Sequence, residues 1–250
     1  MHQRSFKFFH RSQRLLASAC VTAFVFCSFN TQAHENQAYI ELGLGASIAT
    51  GELQHAGPNS NGTPNYDMGN TSVKSFAIGY QMINGLRLEL DFRDRELEIA
   101  SNRTVATRPQ SAFNGSTTET FIASGNVDSR TRMLNVAYVG ELIKPQWTAY
   151  LKLGVGEAKN RTVATVDVEP TFIALGNLNG DFYQRGSERE FAWSAGTGVS
   201  MHITERLQVG LDYQYSNLGD ATTRAGQFGD NLETDELAVH EVTARLRLHF

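Results

Sequence analysis

The chain has 250 residues, a formal net charge of −4, 41% hydrophobic and 19% charged residues, and two cysteines. A mean hydropathy of −0.31, with no apolar run of about 18 residues, excludes a polytopic helical membrane protein. The charge balance excludes a basic nucleic-acid binder, and 22 Gly without a G-X-Y period exclude collagen.

Residues 1–33 read as a secretory signal peptide, leaving 34–250 as one barrel domain. Arg4, Lys7, Arg11 and Arg14 give a basic start, and Leu15 to Phe29 is apolar. Thr31-Gln32-Ala33 then places small residues at positions −3 and −1 of a cleavage site. This segment holds four of the 22 basic residues, none of the 26 acids, and both cysteines, Cys20 and Cys27. The remainder is acidic and has no thiol. Disulfides, cysteine nucleophiles and thiolate metal sites are therefore excluded from it.

From Gln37 the sequence alternates with a period of two, which puts one set of side chains on each face of a strand. Ile40, Leu42, Leu44, Ala46 and Ile48 oppose Glu41, Gly43, Gly45 and Ser47. Phe76, Ile78, Tyr80 and Met82 oppose Ser75, Ala77, Gly79 and Gln81. Leu86, Leu88, Leu90 and Phe92 oppose Arg87, Glu89, Asp91 and Arg93. A weaker fourth segment sets Leu134, Val136 and Tyr138 against Met133, Asn135 and Ala137. The fifth sets Ala149, Leu151, Leu153 and Val155 against Tyr150, Lys152, Gly154 and Gly156. The sixth runs from Phe191 to Met201, and the seventh sets Leu207, Val209, Leu211, Tyr213 and Tyr215 against Gln208, Gly210, Asp212 and Gln214. The last sets Val242, Ala244, Leu246, Leu248 and Phe250 against Thr243, Arg245, Arg247 and His249.

The connections alternate strictly. Asn84-Gly85 is a two-residue hairpin signal, and 143–146 and 204–206 are also tight. Long polar stretches lie at 51–72, 97–128, 159–189 and 217–235. This order predicts an all-β fold: an eight-stranded antiparallel up-and-down transmembrane β-barrel with long extracellular loops and both termini in the periplasm.

Alternation leaves two orientations open. A lipocalin-like soluble barrel puts the apolar set inside, and an outer-membrane barrel puts it outside. Three features favour the membrane. The polar face is rich in Gly and Ser, as a narrow interior requires. Tyr138, Trp147, Phe191, Trp193, Tyr213 and Tyr215 lie near segment ends, as aromatic girdles do. The chain ends inside a strand at Phe250. On this reading Glu41, Arg87, Glu89, Asp91, Arg93, Lys152, Asp212, Arg245 and Arg247 point inward and pair into a polar plug, since buried charges must be paired. His240-Glu241 reads as a polar rim at the start of the last strand.

The stretches YIELGLGAS (39–47), LRLELDFR (86–93), AYLKLGVGEA (149–158), 191–219 and HEVTARLRLHF (240–250) resemble the small outer-membrane β-barrel family of Gram-negative bacteria. That family includes opacity-type surface antigens and porin-family proteins. The resemblance implies the outer membrane, with its lipid and lipopolysaccharide as surroundings. It also implies that Leu246, Leu248 and Phe250 form the signal read by the outer-membrane assembly machinery.

Two loop motifs recur in the same order. NRTVAT stands at 102–107 and 160–165, and TFIAxGN at 120–126 and 171–177. Each pair predicts a hairpin arm above the membrane, with Phe121 and Phe172 as candidate apolar anchors for an extracellular partner. No HxxxH, HExxH or GxSxG spacing occurs, so no catalytic, cofactor or metal residues are assigned. The expected function is a non-enzymatic envelope component, adhesin- or antigen-like, acting through its loops. The alternative is a small porin-type channel for ions or small solutes.

Overall fold

The computed structural model describes residues 37–56, 65–99, 103–110, 115–142, 146–170, 181–226, 231–234 and 236–250. The signal-peptide reading of 1–33 and the second TFIAxGN motif, with Phe172, lie outside them.

Eight strands form the wall: β1 (Gln37–Thr50), β2 (Asn70–Gln81), β3 (Leu86–Ile99), β4 (Gly115–Glu141), β5 (Trp147–Pro170), β6 (Asp181–His202), β7 (Leu207–Asn217) and β8 (Ala238–His249). Each pairs antiparallel with its sequence neighbours, and β8 pairs with β1, so the ring is closed. Closure leaves no open edge, and the wall satisfies its own backbone hydrogen bonds, as a bilayer demands.

The short turns gather at one end. Between β2 and β3, Asn84 (φ 84°) and Gly85 (φ 73°) both take left-handed angles, and the Met82 amide donates to the Leu86 carbonyl at 2.7 Å. Two successive positive φ values are what a tight hairpin with right-handed strand twist requires, and Asn-Gly supplies them at low cost. Between β6 and β7 the Thr204 hydroxyl accepts from the Leu207 amide at 3.0 Å.

The faces take the membrane orientation. Leu44, Leu153, Leu211 and Leu246 point outward, with Leu153 67% exposed, whereas Arg87 and Asp212 are buried in the lumen. The soluble alternative, with leucines inside, is thereby excluded. The aromatic ends Tyr138, Trp147, Phe191, Trp193 and Tyr213 also face outward.

At the opposite end the wall continues well past the apolar band. The stretches 97–128 and 159–189, expected as long polar loops, are largely strand. Arg103–Gln110 pairs with 115–122, taking over the edge of β4 where β3 ends at the Ile99–Gly125 pair. Gly125 (φ 152°) stands at this exchange, where a Cβ would collide with the Val163 carbonyl. The first NRTVAT–TFIA pair thus forms a hairpin in its backbone. The second NRTVAT pairs elsewhere: 162–165 faces 124–127 of β4 and, past a bulge, 182–186 of β6.

The remaining loop segments fold into a small antiparallel sheet, ordered 221–222, 231–234, 52–56 and 66–67. It lies over the outer mouth of the barrel. Its Leu53, Tyr66 and Leu232 are fully buried against wall residues Leu97, Val127 and Val239. Segments 51–72 and 217–235 were expected to be solvated loops. The difference comes from a few apolar side chains at period two within polar text, which become a core only when both segments meet.

Candidate functional site

The lumen is built from the inward set of every wall strand. Among the described residues it buries six bases (Arg87, Arg93, Arg95, Lys152, Arg245, Arg247) and five acids (Glu41, Glu89, Asp91, Asp212, Glu241). Nine of these are the predicted interior charges. Arg95 and Glu241 were missed, although both continue the inward parity of their strands. Glu241 is a correction. It was expected on a polar rim, but it is buried, and His240 beside it faces outward against Tyr213.

Asp212 is a hub. It accepts from Arg245 at 2.7 Å, from the Tyr150 hydroxyl at 2.7 Å, from Arg93 at 3.4 Å and from Lys152 at 3.5 Å. Arg93 also forks onto Asp91 (3.0 Å) and donates to Gln214 (2.7 Å). One layer higher, Glu241 bridges Arg93 and Arg95. Nearer the periplasmic mouth, Glu41 pairs with both Arg245 and Arg247, and Tyr39 donates to Glu89 at 2.8 Å. Arg87 is held differently: its guanidinium carbon lies 4.4 Å from the Tyr150 ring centroid, and Glu89 is 3.9 Å away. Buried this deeply, such charges are tolerable only because each has opposite charge or a ring face beside it.

Glycines set how large the inward neighbours can be. A Cβ on Gly79 would run into the Tyr39 ring, and one on Gly198 into the Tyr150 hydroxyl. Tyr150, which alternation placed on the inward face, and Tyr39, which the sequence reading did not place, fill space left by glycines on the adjacent strand. A void among Glu41, Tyr150, Gln208 and Arg247 measures about 10 Å³, room for no more than one water.

Above the charged layer the same inward rows turn apolar, through Leu97, Val127, Leu218, Leu237 and Val239, under the small sheet. The lumen is therefore closed twice, by ion pairs below and by an apolar core above. Leu246 and Leu248 face outward on β8, and the terminal Phe250 is 69% exposed while its amide donates to Ala38 at 2.9 Å. Phe121 lies in the backbone pair Thr104–Phe121 of the first hairpin arm.

Residues 19–250 match the outer membrane protein beta-barrel domain. No curated protein matches the chain. Among solved structures, the outer membrane protein OprG from Pseudomonas aeruginosa is similar at 11% identity and TM-score 0.54, over 88% of this chain and 100% of that one. Neisserial surface protein A aligns at 16% identity and TM-score 0.45, over 87% and 100%. Ail, the attachment invasion locus protein of Yersinia pestis, aligns at 12% identity and TM-score 0.40, over 86% and 100%. At these identities the likeness concerns fold.

Proposed function

The chain belongs to the outer membrane β-barrel domain family of Gram-negative bacteria, and from that premise we propose that it is a non-enzymatic surface component of the outer membrane, adhesin- or antigen-like, that acts through its extramembrane wall and loops. The observation that carries this reading is the doubly closed lumen. A solute would have to break the Asp212 hub and then displace the Leu53–Tyr66–Leu232 core. What the protein presents instead is a tall wall: β4 and β5 run for 27 and 24 residues, against the roughly 9–11 residues that cross a bilayer. The hairpin of Arg103–Gln110 with 115–122 is its outermost described part on that side.

Two partners accompany the reading. The last strand, with Leu246, Leu248 and Phe250 facing out, is the segment offered to the outer-membrane assembly machinery. The hairpin carrying Phe121, with the segment carrying Phe172, is the surface offered to an extracellular partner.

Planar-bilayer recording of the refolded protein tests the closed lumen. The expected result is no stable ohmic conductance. A steady conductance whose ion selectivity changes with Lys152→Glu or Arg245→Glu would replace this reading with that of a small channel. Release of fatty acid from lipopolysaccharide by the purified protein would replace it with an enzyme's.

A further inference from the structure

Five bases stand together on the outer face of β4, β5 and β6, just where the wall leaves the apolar band. Arg130, Arg132, Lys159, Arg161 and Arg189 line a groove of about 530 Å³ with Asp94, Asp128 and Glu157. Register places them side by side: Arg130 opposes Lys159, which opposes Arg189, and Arg161 opposes Asp128. The alternation that sends Arg93 and Thr131 inward sends these side chains outward.

Two of the bases have modest partners. Arg130 lies 3.4 Å from Asp94 and Arg189 3.9 Å from Glu157, both pairs exposed. Such pairs are worth little in water and exchange readily for a stronger anion. Arg132, Lys159 and Arg161 form no ion pair among the described residues. The groove therefore keeps an excess of positive charge on a chain that is acidic as a whole.

Position selects the anion. On the same outward faces, the next positions toward the membrane include Phe92, Leu134, Val155 and Phe191, all exposed to the bilayer. A ligand in the groove thus has its anionic part against guanidinium groups and its neighbouring part against apolar wall. The cluster is also one-sided. On β7, β8 and β1 the girdle carries Tyr215, His240 and Ile48 instead, with Tyr215 and His240 packed ring to ring.

We propose that this groove binds the phosphorylated headgroup of lipopolysaccharide in the outer leaflet, with its acyl chains lying along Phe92, Leu134 and Phe191. Guanidinium forks match phosphate oxygens in a bidentate manner, and closely spaced arginines can share one phosphate. The inference needs the outer-membrane location but not the loop function, so it can fail while that reading stands.

The test uses the mature chain, refolded in detergent and immobilised, with bisphosphorylated lipopolysaccharide and its enzymatically dephosphorylated form as probes. Retention of the phosphorylated form is expected to exceed that of the dephosphorylated form, and Arg130→Gln/Lys159→Gln/Arg189→Gln is expected to weaken it at least about tenfold, as loss of charge-assisted contacts should. Arg206→Gln, at the periplasmic turn, should leave retention unchanged. Heat-modifiable migration without lipopolysaccharide checks that the variants keep the barrel. Equal retention of both forms, or wild-type retention by the triple variant, overturns the proposal. Preferential capture of a soluble sulfated polysaccharide overturns it too, and assigns the groove to an extracellular polyanion.

Discussion

Arg93 and Glu241 are 148 residues apart in the chain and sit on strands separated by two others, yet their side chains meet across the lumen at 2.5 Å. Glu241 also accepts a second bond, from Arg95 at 3.0 Å. One carboxylate thus ties together two guanidinium groups that the third strand carries into the barrel.

Removing that carboxylate leaves two buried cations short of a partner. Glu241→Ala is expected to destabilise the folded barrel by about 3–5 kcal/mol, the range for breaking a buried pair from one side. Urea unfolding of the refolded protein in vesicles measures it. Arg95→Met/Glu241→Leu should lose clearly less than the sum of its single changes, because the two residues share one interaction.

The Tyr39–Gly79 contact predicts a compensating pair. A Cβ at Gly79 has nowhere to go except into the Tyr39 ring. Gly79→Ala should cost about 1–3 kcal/mol, as overpacking does. Gly79→Ala in a Tyr39→Ser background should cost much less. Thermal conversion of the heat-modifiable form, followed on a gel, reports both.

Depth in the bilayer should grade substitutions on the outer face. Leu153 lies mid-band and is 67% exposed, whereas Trp147 lies at the periplasmic edge. Leu153→Arg is expected to cost about 2–4 kcal/mol and Trp147→Arg about 0–1. Equal costs in refolding titrations would mean that the band is placed wrongly.

The β2–β3 turn offers a local test. Gly85 holds φ 73°, which an L-residue adopts at a cost of roughly 1–2 kcal/mol. Gly85→Ala should lower stability by about that much, with no change in lipid-facing labelling. Gly85→Asn should lose less, since Asn tolerates left-handed angles.

Phe250 separates assembly from stability. Its ring is exposed while its amide holds the strand to Ala38. Phe250→Ala should leave refolding into vesicles nearly unchanged. In cells the same change should reduce the amount of inserted barrel, measured by heat-modifiable migration of outer-membrane fractions.

Alternation at period two was enough to give the eight membrane-spanning segments, their order and the face that most of their residues take. Arg87, Asp212 and Arg245 could be placed inward from sequence because a charged row on a lipid-facing wall is too costly to keep. The Asn84-Gly85 turn was equally legible, since its angles depend on two residues alone. Folding decided matters of height and partnership. Parity says that Glu241 and Tyr150 face the lumen, but not that Glu241 lies level with Arg93 or that Tyr150 reaches Asp212. Those meetings depend on the stagger of strands far apart in the chain. Leu53, Tyr66 and Leu232 look like strays in polar loops until two remote segments pair over the mouth. An apolar side chain is buried only by what arrives on its other side, and here that neighbour is more than 150 residues away.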